Sequence, residues 1–499
     1  MDLNTKLLNR LRKIRKKGLK VGLAHGVFDV LHVGHVNYFK EAKKYVDFLI
    51  VSVTADKFVN KGPGRPVFKI NDRVFFLKNL RTIDEVIVSN YPSSENIIRL
   101  IKPDIYFKGK DYVDFKDLTN NLSKEKKLVK FLGGETKYTN TPIYSSGKII
   151  NEHFDLINEK AKPFIKKINK EKLKSNFIET FKNKFNEKIL VIGDPIIDIY
   201  RYVTTSGKSN KATIISTLYK NETKFAGGSM LVANTLAQFL NNVVTLNFKN
   251  SESNSVYRSL SDKRIKQTKI NINLKPIKKI RYIDQYSNNK LYQVTLNEDQ
   301  ILSNKDESRY YSLIKKLINK FKNIIVLDYG YFSINKRLIK ILNNSNKNII
   351  INCQANSYNF GFNIFTKYKK SNIMCIDEQE FRLGVKNKTD DILYLFNKNK
   401  KLLDKYKVFI VTLGKKGCAI RFKKKNFYIP TVLKNAIDTI GCGDIFITLF
   451  SMLQISKKFD INESALISHI AAGIHANEHG NKQSINFLNL YKALDNTLK

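Results

Sequence analysis

Cysteine is scarce in this chain, with 4 residues among 499, and no two of them form a CxxC pair. Structural zinc sites and the disulfide frameworks of small secreted domains both need closely spaced ligands or partners. The spacing therefore indicates reduced thiols and no structural zinc. The four residues are Cys353, Cys375, Cys418 and Cys442.

Long apolar runs are also missing. A helix needs roughly 20 apolar residues to cross a bilayer, and the longest candidate, near Ile445–Ile455, is shorter and directly follows Asp444. Residues 1–18 are basic but have neither the apolar core nor the cleavage site of a signal peptide. We therefore expect a cytoplasmic protein with no membrane partner.

Acidic residues are outnumbered by basic ones, 44 against 88, which gives a net charge of +44. Clustered Lys and Arg would suggest a nucleic-acid partner, but here Lys is spread along the whole chain between Asn and Ile. We expect no nucleic-acid partner and a field that attracts small anions. The alternative is a nucleic-acid-associated protein on nucleotide-binding folds, which a steep salt dependence of RNA binding would support.

The chain is long enough for two domains. In the first 150 residues, buried runs such as VGLAH, DFLIVSVT and EVIVS alternate with helical periods, which predicts an α/β domain with a doubly wound parallel sheet. Residues 151–187 are Lys-rich and Gly-free, and we expect a helical connector. A second doubly wound α/β domain over residues 188–499 opens at KILVIGDPIID and includes a small β lid.

The string GVFDVLHVGH at Gly26–His35 places a glycine turn after a strand and two histidines at the start of the next helix. Backbone amides at a helix N-terminus attract anions, and His32 and His35 are three apart, so both reach one phosphate group. Gly34 between them lets a nucleotide approach the backbone closely. The string predicts a phosphate-handling site.

This string resembles the cytidylyltransferase-like nucleotidyltransferases, and the resemblance extends over about the first 150 residues. KGPGRPVFKINDR at Lys61–Arg73 is similar to the family segment that grips the triphosphate. PDIYFKGKDY at Pro103–Tyr112 and YSSGKII at Tyr144–Ile150 are similar to segments that contact the nucleotide. Asn140 and Gly147 depart from the family pattern and leave the choice between ATP and CTP open.

The resemblance implies a Rossmann-like fold and attack of a phosphate oxygen on the nucleotide α-phosphorus, with pyrophosphate leaving and Mg2+ on the triphosphate. It implies that His32, His35 and Lys61 are catalytic, with Arg73 also stabilising the pentacoordinate state. The nucleotide-binding residues that it implies are Gly26, Phe28, Asp29, Gly34, Arg65, Arg73, Lys108, Gly109, Asp111, Ser145 and Ser146.

A second string, DTIGCGD at Asp438–Asp444, precedes an apolar helix. Its small residues expose amides to a transferring phosphoryl group, and Asp444 is placed to accept a proton from a substrate hydroxyl. The string resembles DTxGAGD of the ribokinase-like, or PfkB, carbohydrate kinases, and the resemblance covers about residues 188–499.

Four further segments follow the order of that family: GDPIID, FAGGSMLVAN, CIDEQE and VTLGKKGC. The resemblance implies that Asp444 is catalytic and that Glu380 is associated with the metal. The residues implied in sugar binding are Asp198, Gly227 and Gly228, and those implied in nucleotide binding are Thr412, Gly414, Thr439, Gly441, Cys442 and Gly443.

The two halves together resemble the bifunctional ADP-heptose synthases with the domain order reversed. This implies an ATP-dependent sugar kinase and a nucleotidyltransferase that make an activated sugar for surface polysaccharide such as lipopolysaccharide, in a homodimer. Leu231 replaces the family's sugar-contacting asparagine, and Asp377 replaces the asparagine of its metal-associated motif. The alternative is therefore a glycerol-3-phosphate-type cytidylyltransferase with an inactive, regulatory kinase-like half.

Overall fold

The computed structural model describes two compact units, Met1–Leu156 with Lys492–Lys499, and Ile157–Tyr491. We call them unit 1 and unit 2. None of the helices in the described part of the chain is long and apolar enough to span a membrane. The described residues are 3–109, 121–140, 149–151, 157–208, 212–248, 251–272, 274–297, 299–356, 359–434, 436–478, 480 and 485–499.

Unit 1 contains a five-stranded parallel sheet. Its strands are β1 (Val21–Gly26), β2 (Phe48–Thr54), β3 (Glu85–Ser89), β4 (Ile105–Lys108) and β5 (Glu135–Tyr138). They lie in the order β3-β2-β1-β4-β5, and every neighbouring pair is parallel. The chain switches direction across the sheet between β1 and β4, and a crevice at the carboxyl ends of these strands is where doubly wound folds bind ligands.

Helices cover both faces of this sheet, as the alternation of strands and helices predicted. Side chains alternate along β4: Phe107 joins the apolar cluster with Phe39, whereas Tyr106 joins the opposite cluster with Leu11. The helices are α1 (Leu3–Lys16), α2 (Val33–Lys43), α3 (Ile70–Lys78), α4 (Glu95–Ile101) and α5 (Asn121–Phe131).

Unit 2 contains a nine-stranded sheet and a separate four-stranded sheet. Its strands are β6 (Phe185–Gly193), β7 (Pro195–Lys208), β8 (Ile215–Gly228), β9 (Leu240–Phe248), β10 (Lys266–Ile270), β11 (Ile277–Asp284), β12 (Lys290–Leu296), β13 (Asn323–Asp328), β14 (Asn348–Cys353), β15 (Ser371–Asp377), β16 (Tyr406–Thr412), β17 (Gly417–Phe422) and β18 (Lys425–Pro430). The large sheet has the order β10-β9-β6-β13-β14-β15-β16-β17-β18 and is parallel up to β16.

The four-stranded sheet, in the order β12-β11-β7-β8, is the small β lid that the sequence predicted. The long antiparallel pair β7 and β8 forms one side of it, and β11 runs parallel to β7. We call this sheet the lid. Short apolar runs predicted the central strands because a parallel sheet that is buried on both faces needs continuous Val, Ile and Leu.

The helices of unit 2 pack mainly around the nine-stranded sheet. They are α6 (Lys162–Lys166), α7 (Lys170–Phe181), α8 (Ser229–Phe239), α9 (Ser251–Leu260), α10 (Asn304–Lys320), α11 (Lys336–Asn343), α12 (Glu378–Val385), α13 (Ile392–Lys398), α14 (Lys400–Leu403), α15 (Cys442–Ser456), α16 (Ile461–Ala476) and α17 (Phe487–Leu498). Residues 492–499, which include the last turns of α17, lie in unit 1.

The segment that we expected to be a connector lies in unit 2 from Ile157 onward. Asn169 caps α7 by accepting a hydrogen bond from the backbone N–H of Lys172. Phe177 on α7 is fully buried, and its ring stacks on Phe487 with centroids 5.7 Å apart. The described part of this segment contains α6, α7 and, from Phe185, the start of β6, and Phe177 contributes to the core of unit 2.

If α7 is part of that core, Phe177→Ala should lower the free energy of unfolding of unit 2 by about 3–5 kcal/mol, because it leaves a cavity among aromatic rings. Chemical denaturation of the full chain, followed by circular dichroism, measures this change. Phe131→Ala is the control, since that side chain is 82% exposed. A Phe177→Ala loss no larger than that of the control would contradict the packing.

Candidate active sites

The first site lies at the carboxyl end of β1, where Gly26 ends the strand. His32 is the N-cap of α2, with an extended backbone, and His35 stands on the first turn of the helix. Their rings stack with centroids 4.0 Å apart and planes 29° apart. Gly34 is buried between them. The structure thus brings the two predicted imidazoles together at a helix N-terminus.

Burial favours the neutral form of both imidazoles. Burial, with help from His32 and Lys61, lowers the pKa of His35 to about 3, and burial followed by Lys61 lowers the pKa of His32. Burial also lowers the pKa of Lys61, to about 8, which leaves its ammonium mostly charged at pH 7. The site therefore offers imidazole N–H donors and one nearby positive charge to an anion.

Phe28 and Asp29 lie in the turn between β1 and α2. Phe28 has a positive φ of 50°, and its ring meets that of His35 edge to face with centroids 5.5 Å apart. The Asp29 carboxylate is 2% exposed and accepts hydrogen bonds from the backbone N–H groups of Val67 and Phe68 at 2.7 and 3.0 Å. Asp29 therefore anchors the far end of the basic loop that begins at Lys61.

Arg73 lies beneath the site, away from its open side. Its guanidinium is fully buried and donates to the backbone carbonyls of Val27, Thr54 and Phe68. It also pairs with the Asp56 carboxylate at 2.6 Å. These contacts tie the glycine turn to the basic loop, and the contact of Arg73 with a nucleotide stays a prediction.

Lys108 is likewise engaged by protein groups. It ends β4, is 7% exposed, and its ammonium lies 2.9 Å from the Glu125 carboxylate. Arg65 belongs to the basic loop, and its guanidinium donates to the side-chain oxygen of Asn151 at 3.0 Å. Gly109 follows Lys108 at the crevice of the sheet. Asp111, Ser145 and Ser146 lie outside the described residues.

The second site is a cavity of about 580 Å³ in unit 2. It opens at the ends of β15 and β16 and at the start of α15, where the sequence motifs predicted nucleotide and catalytic residues. The predicted residues that line it are Glu380, Thr412, Gly414, Thr439, Gly441, Cys442, Gly443 and Asp444.

Asp444 is the third residue of α15, directly after the left-handed turn at Gly441, whose φ is 78°. Its carboxylate oxygen Oδ1 accepts hydrogen bonds from the Tyr329 hydroxyl and the Gln354 side-chain amide, both at 3.0 Å. Burial raises the pKa of Asp444 to about 6, although both hydrogen bonds act to lower it. A carboxylate with this pKa is ionised at pH 7 and still basic enough to accept a proton.

Sequence reasoning missed Tyr329 and Gln354. Tyr329 directly follows β13, and Gln354 directly follows β14. These strands are neighbours in the large sheet, and residues just beyond the carboxyl ends of parallel strands meet at one edge. Their position just beyond two predicted strands was the sequence signal that could have revealed them.

The lack of a side chain at the predicted glycines of unit 2 matters for two different reasons. An added Cβ at Gly443 or Gly414 would meet no described protein atom within 4 Å, which leaves room for a ligand against the backbone. An added Cβ at Gly227 would lie 2.2 Å from a carboxylate oxygen of Asp198, and one at Gly228 would collide with the Asp194 carbonyl oxygen at 2.5 Å. Gly227 and Gly228 are therefore required by the protein itself.

Asp198 lies on β7 of the lid and forms an ion pair with Arg281 on β11, a partner that the sequence did not reveal. The carboxylate is 5% exposed, so Arg281 compensates its burial. Its charge is close enough to contribute to the raised pKa of Asp444, after burial as the main cause. The predicted sugar-binding carboxylate is therefore near the predicted base.

The Asp438 carboxylate anchors the loop that enters α15. One oxygen accepts from the Lys290 ammonium and the backbone N–H of Ile440, and the other accepts from the Tyr200 hydroxyl and the N–H of Gly480. Burial alone would raise the pKa of Asp438, but these hydrogen bonds outweigh it and lower the pKa to about 2. Asp438 stays ionised and paired.

Glu380 and Asp377 form a capping box at the start of α12: the side chain of each accepts from the backbone N–H of the other, both at 2.7 Å. The other Glu380 oxygen accepts from the N–H of Ala355 at 2.9 Å. Burial, followed by the charge of Asp377, raises the pKa of Glu380 to about 8. In the described chain, no three His, Cys, Asp or Glu side chains cluster as a ready-made metal cage.

Two protein families match the two halves of the chain. Residues 23–152 match the cytidylyltransferase-like family, and residues 186–486 match the pfkB family of carbohydrate kinases. The second match covers more than half of the 499 residues.

The N-terminal part is similar to "Bifunctional protein HldE" of Aliarcobacter butzleri, at 39% identity over 131 residues, or 26% of this chain and 27% of that protein. "Bifunctional protein HldE" of Helicobacter pylori strain J99 is 34% identical over 126 residues, or 25% of this chain and 27% of that protein. The matches thus span only about a quarter of these relatives.

Among solved structures, Escherichia coli phosphofructokinase-2 in complex with substrates and products aligns with a TM-score of 0.51 at 11% identity. The alignment covers 62% of this chain and 98% of that chain, and this likeness shows the fold. The chain therefore belongs to the pfkB family of carbohydrate kinases, with a cytidylyltransferase-like domain ahead of its kinase fold.

Proposed function

We propose that this chain is a bifunctional enzyme. Unit 2 phosphorylates a sugar or sugar phosphate with ATP, and unit 1 transfers a nucleotidyl group from ATP or CTP to a sugar phosphate. The observation that carries the proposal is that one chain holds two candidate sites for phosphate chemistry. In unit 1, His32 and His35 stack beside Lys61, and in unit 2, Asp444 lines a cavity of about 580 Å³.

In unit 1, an oxygen of the sugar phosphate attacks the α-phosphorus of the nucleoside triphosphate, and the bond to pyrophosphate breaks. No group on the protein needs to form a covalent bond. The neutral imidazoles donate N–H groups to phosphate oxygens, and Lys61 supplies positive charge where negative charge builds up. The amides at the start of α2 add to the same field.

In unit 2, Asp444 accepts the proton of the sugar hydroxyl as that oxygen attacks the γ-phosphorus of ATP and ADP leaves. At the start of α15 the N–H groups of Cys442 and Ile445 donate to the carbonyls of Thr439 and Gly441. The N–H groups of Gly443 and Asp444 are the ones that can meet the phosphoryl group, and Gly443 leaves space for its approach. The sugar contacts that we propose are Asp198 and its ion-pair partner Arg281 on the lid. Tyr329 and Gln354 fix the base.

The residues present fit a magnesium ion carried mainly by nucleotide phosphates and water, which is how proteins commonly bind it. Glu380 is a buried carboxylate that lines the cavity, and burial followed by the charge of Asp377 raises its pKa to about 8, so a cation beside it would stabilise its ionised form. When bound, Mg2+ would neutralise phosphate charge beside Glu380 in unit 2 and on the triphosphate in unit 1.

The product we propose is a nucleotide-activated sugar, similar to ADP-heptose, for surface polysaccharide. A kinase that makes a sugar phosphate and a transferase that uses one form consecutive steps. The bifunctional relatives of the N-terminal domain support this combination. Unit 2 would supply the substrate of unit 1 directly or after an intervening change of the sugar phosphate.

A second candidate is a glycerol-3-phosphate-type cytidylyltransferase whose kinase-like half is regulatory. Leu231 favours it, because an apolar side chain on α8 stands where the family contacts its sugar. Asp377 favours it too, since its carboxylate serves as a helix cap. The hydrogen-bonded, ionised Asp444 favours the active kinase.

We expect two separable activities. With ATP, CTP, Mg2+ and a panel of sugars and sugar phosphates that includes heptose 7-phosphate, mass spectrometry should detect a nucleotide-sugar. Asp444→Asn should lower kinase kcat by about 10²–10⁴-fold, because it removes the base. His35→Ala should lower nucleotidyl transfer by about 10²-fold or more, because it removes a phosphate donor.

Each variant is the control for the other, since each should leave the opposite activity intact. Nucleotidyl transfer from supplied sugar 1-phosphate or glycerol phosphate, with no kinase turnover of any panel member, would favour the second candidate. Absence of both activities would reject the proposal.

The pH profile of the kinase reaction should rise through about pH 6, because Asp444, with its pKa near that value, must lose its proton to act as a base. Tyr329→Phe removes a hydrogen bond that lowers this pKa. The acidic limb of kcat/KM should therefore move to higher pH in that variant. Steady-state kinetics between pH 5 and pH 9 measures the shift, within about the range where proteins are most stable.

Tyr311→Phe is the matched control, because the Tyr311 hydroxyl is buried but makes no hydrogen bond to the described residues. Its profile should coincide with that of the unmodified chain. A limb that stays in place in Tyr329→Phe would show that Asp444 is not the titrating base.

A further inference from the structure

The basic loop, which runs from Lys61 to Phe68 and carries Lys61 and Arg65, is held at both ends. Asp29 and Arg73 fix the end near Phe68, and the other end rests on the last turns of α17. The side-chain amide of Asn496 donates to the Lys61 carbonyl at 2.9 Å.

Gly62 shows how closely the loop lies on this helix. Its φ is 97°, and an added Cβ would come within 3.1 Å of the Ala493 Cβ. A side chain at Gly62 would therefore be strained twice, by its backbone conformation and by contact with the helix. The loop backbone and the last turns of α17 are packed without spare room at this point.

A second path joins Asn496 to Arg65. The side-chain amide of Asn151 donates to the Asn496 carbonyl at 2.6 Å, and the side-chain oxygen of Asn151 accepts from the Arg65 guanidinium at 3.0 Å. Asn496 thus reaches the backbone of one basic residue directly and the side chain of the other through a single intermediate. All four residues lie in unit 1.

The same turns of α17 bring positive charge to the loop. Burial is the main cause of the lowered pKa of Lys61, and the charges of Lys499 and Lys492 contribute to it. Lys499 also pairs with Asp495 at 3.0 Å. A helix end that adds cations beside Lys61 is suited to a polyanion with several phosphate groups.

We propose that Asn496 is a positioning residue of the nucleotidyl-transfer site, which sets the placement of Lys61 and Arg65 for the phosphates of a nucleoside triphosphate. The inference rests on the proposed nucleotidyltransferase function of unit 1. The amide is needed as a donor, because Asn496 also donates to the Lys492 carbonyl at 2.9 Å. A carboxylate of the same size would face two carbonyl oxygens that it cannot bond.

Asn496→Asp tests this directly, since it preserves size and replaces the donor by an acceptor. In the full chain, with ATP or CTP and a supplied sugar 1-phosphate, KM for the triphosphate should rise about tenfold, while kcat changes by less than about threefold, as expected for the loss of a hydrogen bond that positions a binding loop. Kinase activity and the thermal unfolding midpoint should match those of the unmodified chain.

Thr497→Ala is the matched control, because this neighbour on α17 makes no side-chain hydrogen bond to the described part of the loop. Its KM should be unchanged. A double variant of Asn496→Asp with Arg65→Ala should lose less than the product of the two single effects, because both substitutions act on one network.

The possible failures are distinguishable. An unmodified chain that phosphorylates sugars but transfers no nucleotidyl group would overturn the proposed function of unit 1, and the inference with it. A normal transferase in which Asn496→Asp leaves KM unchanged would overturn the inference alone. So would equal losses of both activities together with a lowered unfolding midpoint, since they would indicate a role in stability only.

Discussion

The candidate site of unit 2 depends on one buried carboxylate, Asp438, that accepts hydrogen bonds from three parts of this unit. The lid contributes Tyr200 and Lys290, and the backbone contributes the N–H groups of Ile440 and Gly480. A buried charge without partners would cost several kcal/mol, so these contacts are mutually required. The loop that leads into α15, and therefore the place of Asp444, is fixed by this arrangement.

Asp438 and Asp444 are close in sequence but differ in what surrounds them. Hydrogen bonds from cationic and backbone donors lower the pKa of Asp438 to about 2, whereas burial beside fewer donors raises that of Asp444 to about 6. One carboxylate is thereby a permanent anion that organises a loop. The other is poised to take up a proton, and separation of pKa values by environment is a common basis for such a division of roles.

In unit 1 a loop is likewise held in place by buried charged groups, here of both signs. The Asp29 carboxylate and the Arg73 guanidinium lie under the basic loop and hold its backbone. Asn496 holds the opposite end. Buried polar contacts thus hold the backbone of the loop that carries Lys61 and Arg65 in one conformation before any anion binds.

The sequence by itself determined the two α/β folds, the position of several parallel strands and the two phosphate-handling strings. VGLAH and DFLIVSVT coincide with β1 and β2 to within one residue, because a strand buried on both faces is largely apolar, and this signal is local. His32 and Asp444 were likewise found from short strings at the starts of helices. These features depend on residues that are neighbours in sequence.

Only the tertiary structure decided which side chains share a site and which support it. Arg73 is buried against the turn after β1 and the basic loop, residues 157–187 pack into unit 2, and Tyr329, Gln354 and Asn496 meet partners 90 or more positions away. A local pattern shows that a residue is polar or a helix amphipathic, but not which surface it will meet. That choice is made when distant segments pack and each buried donor and acceptor must find a partner.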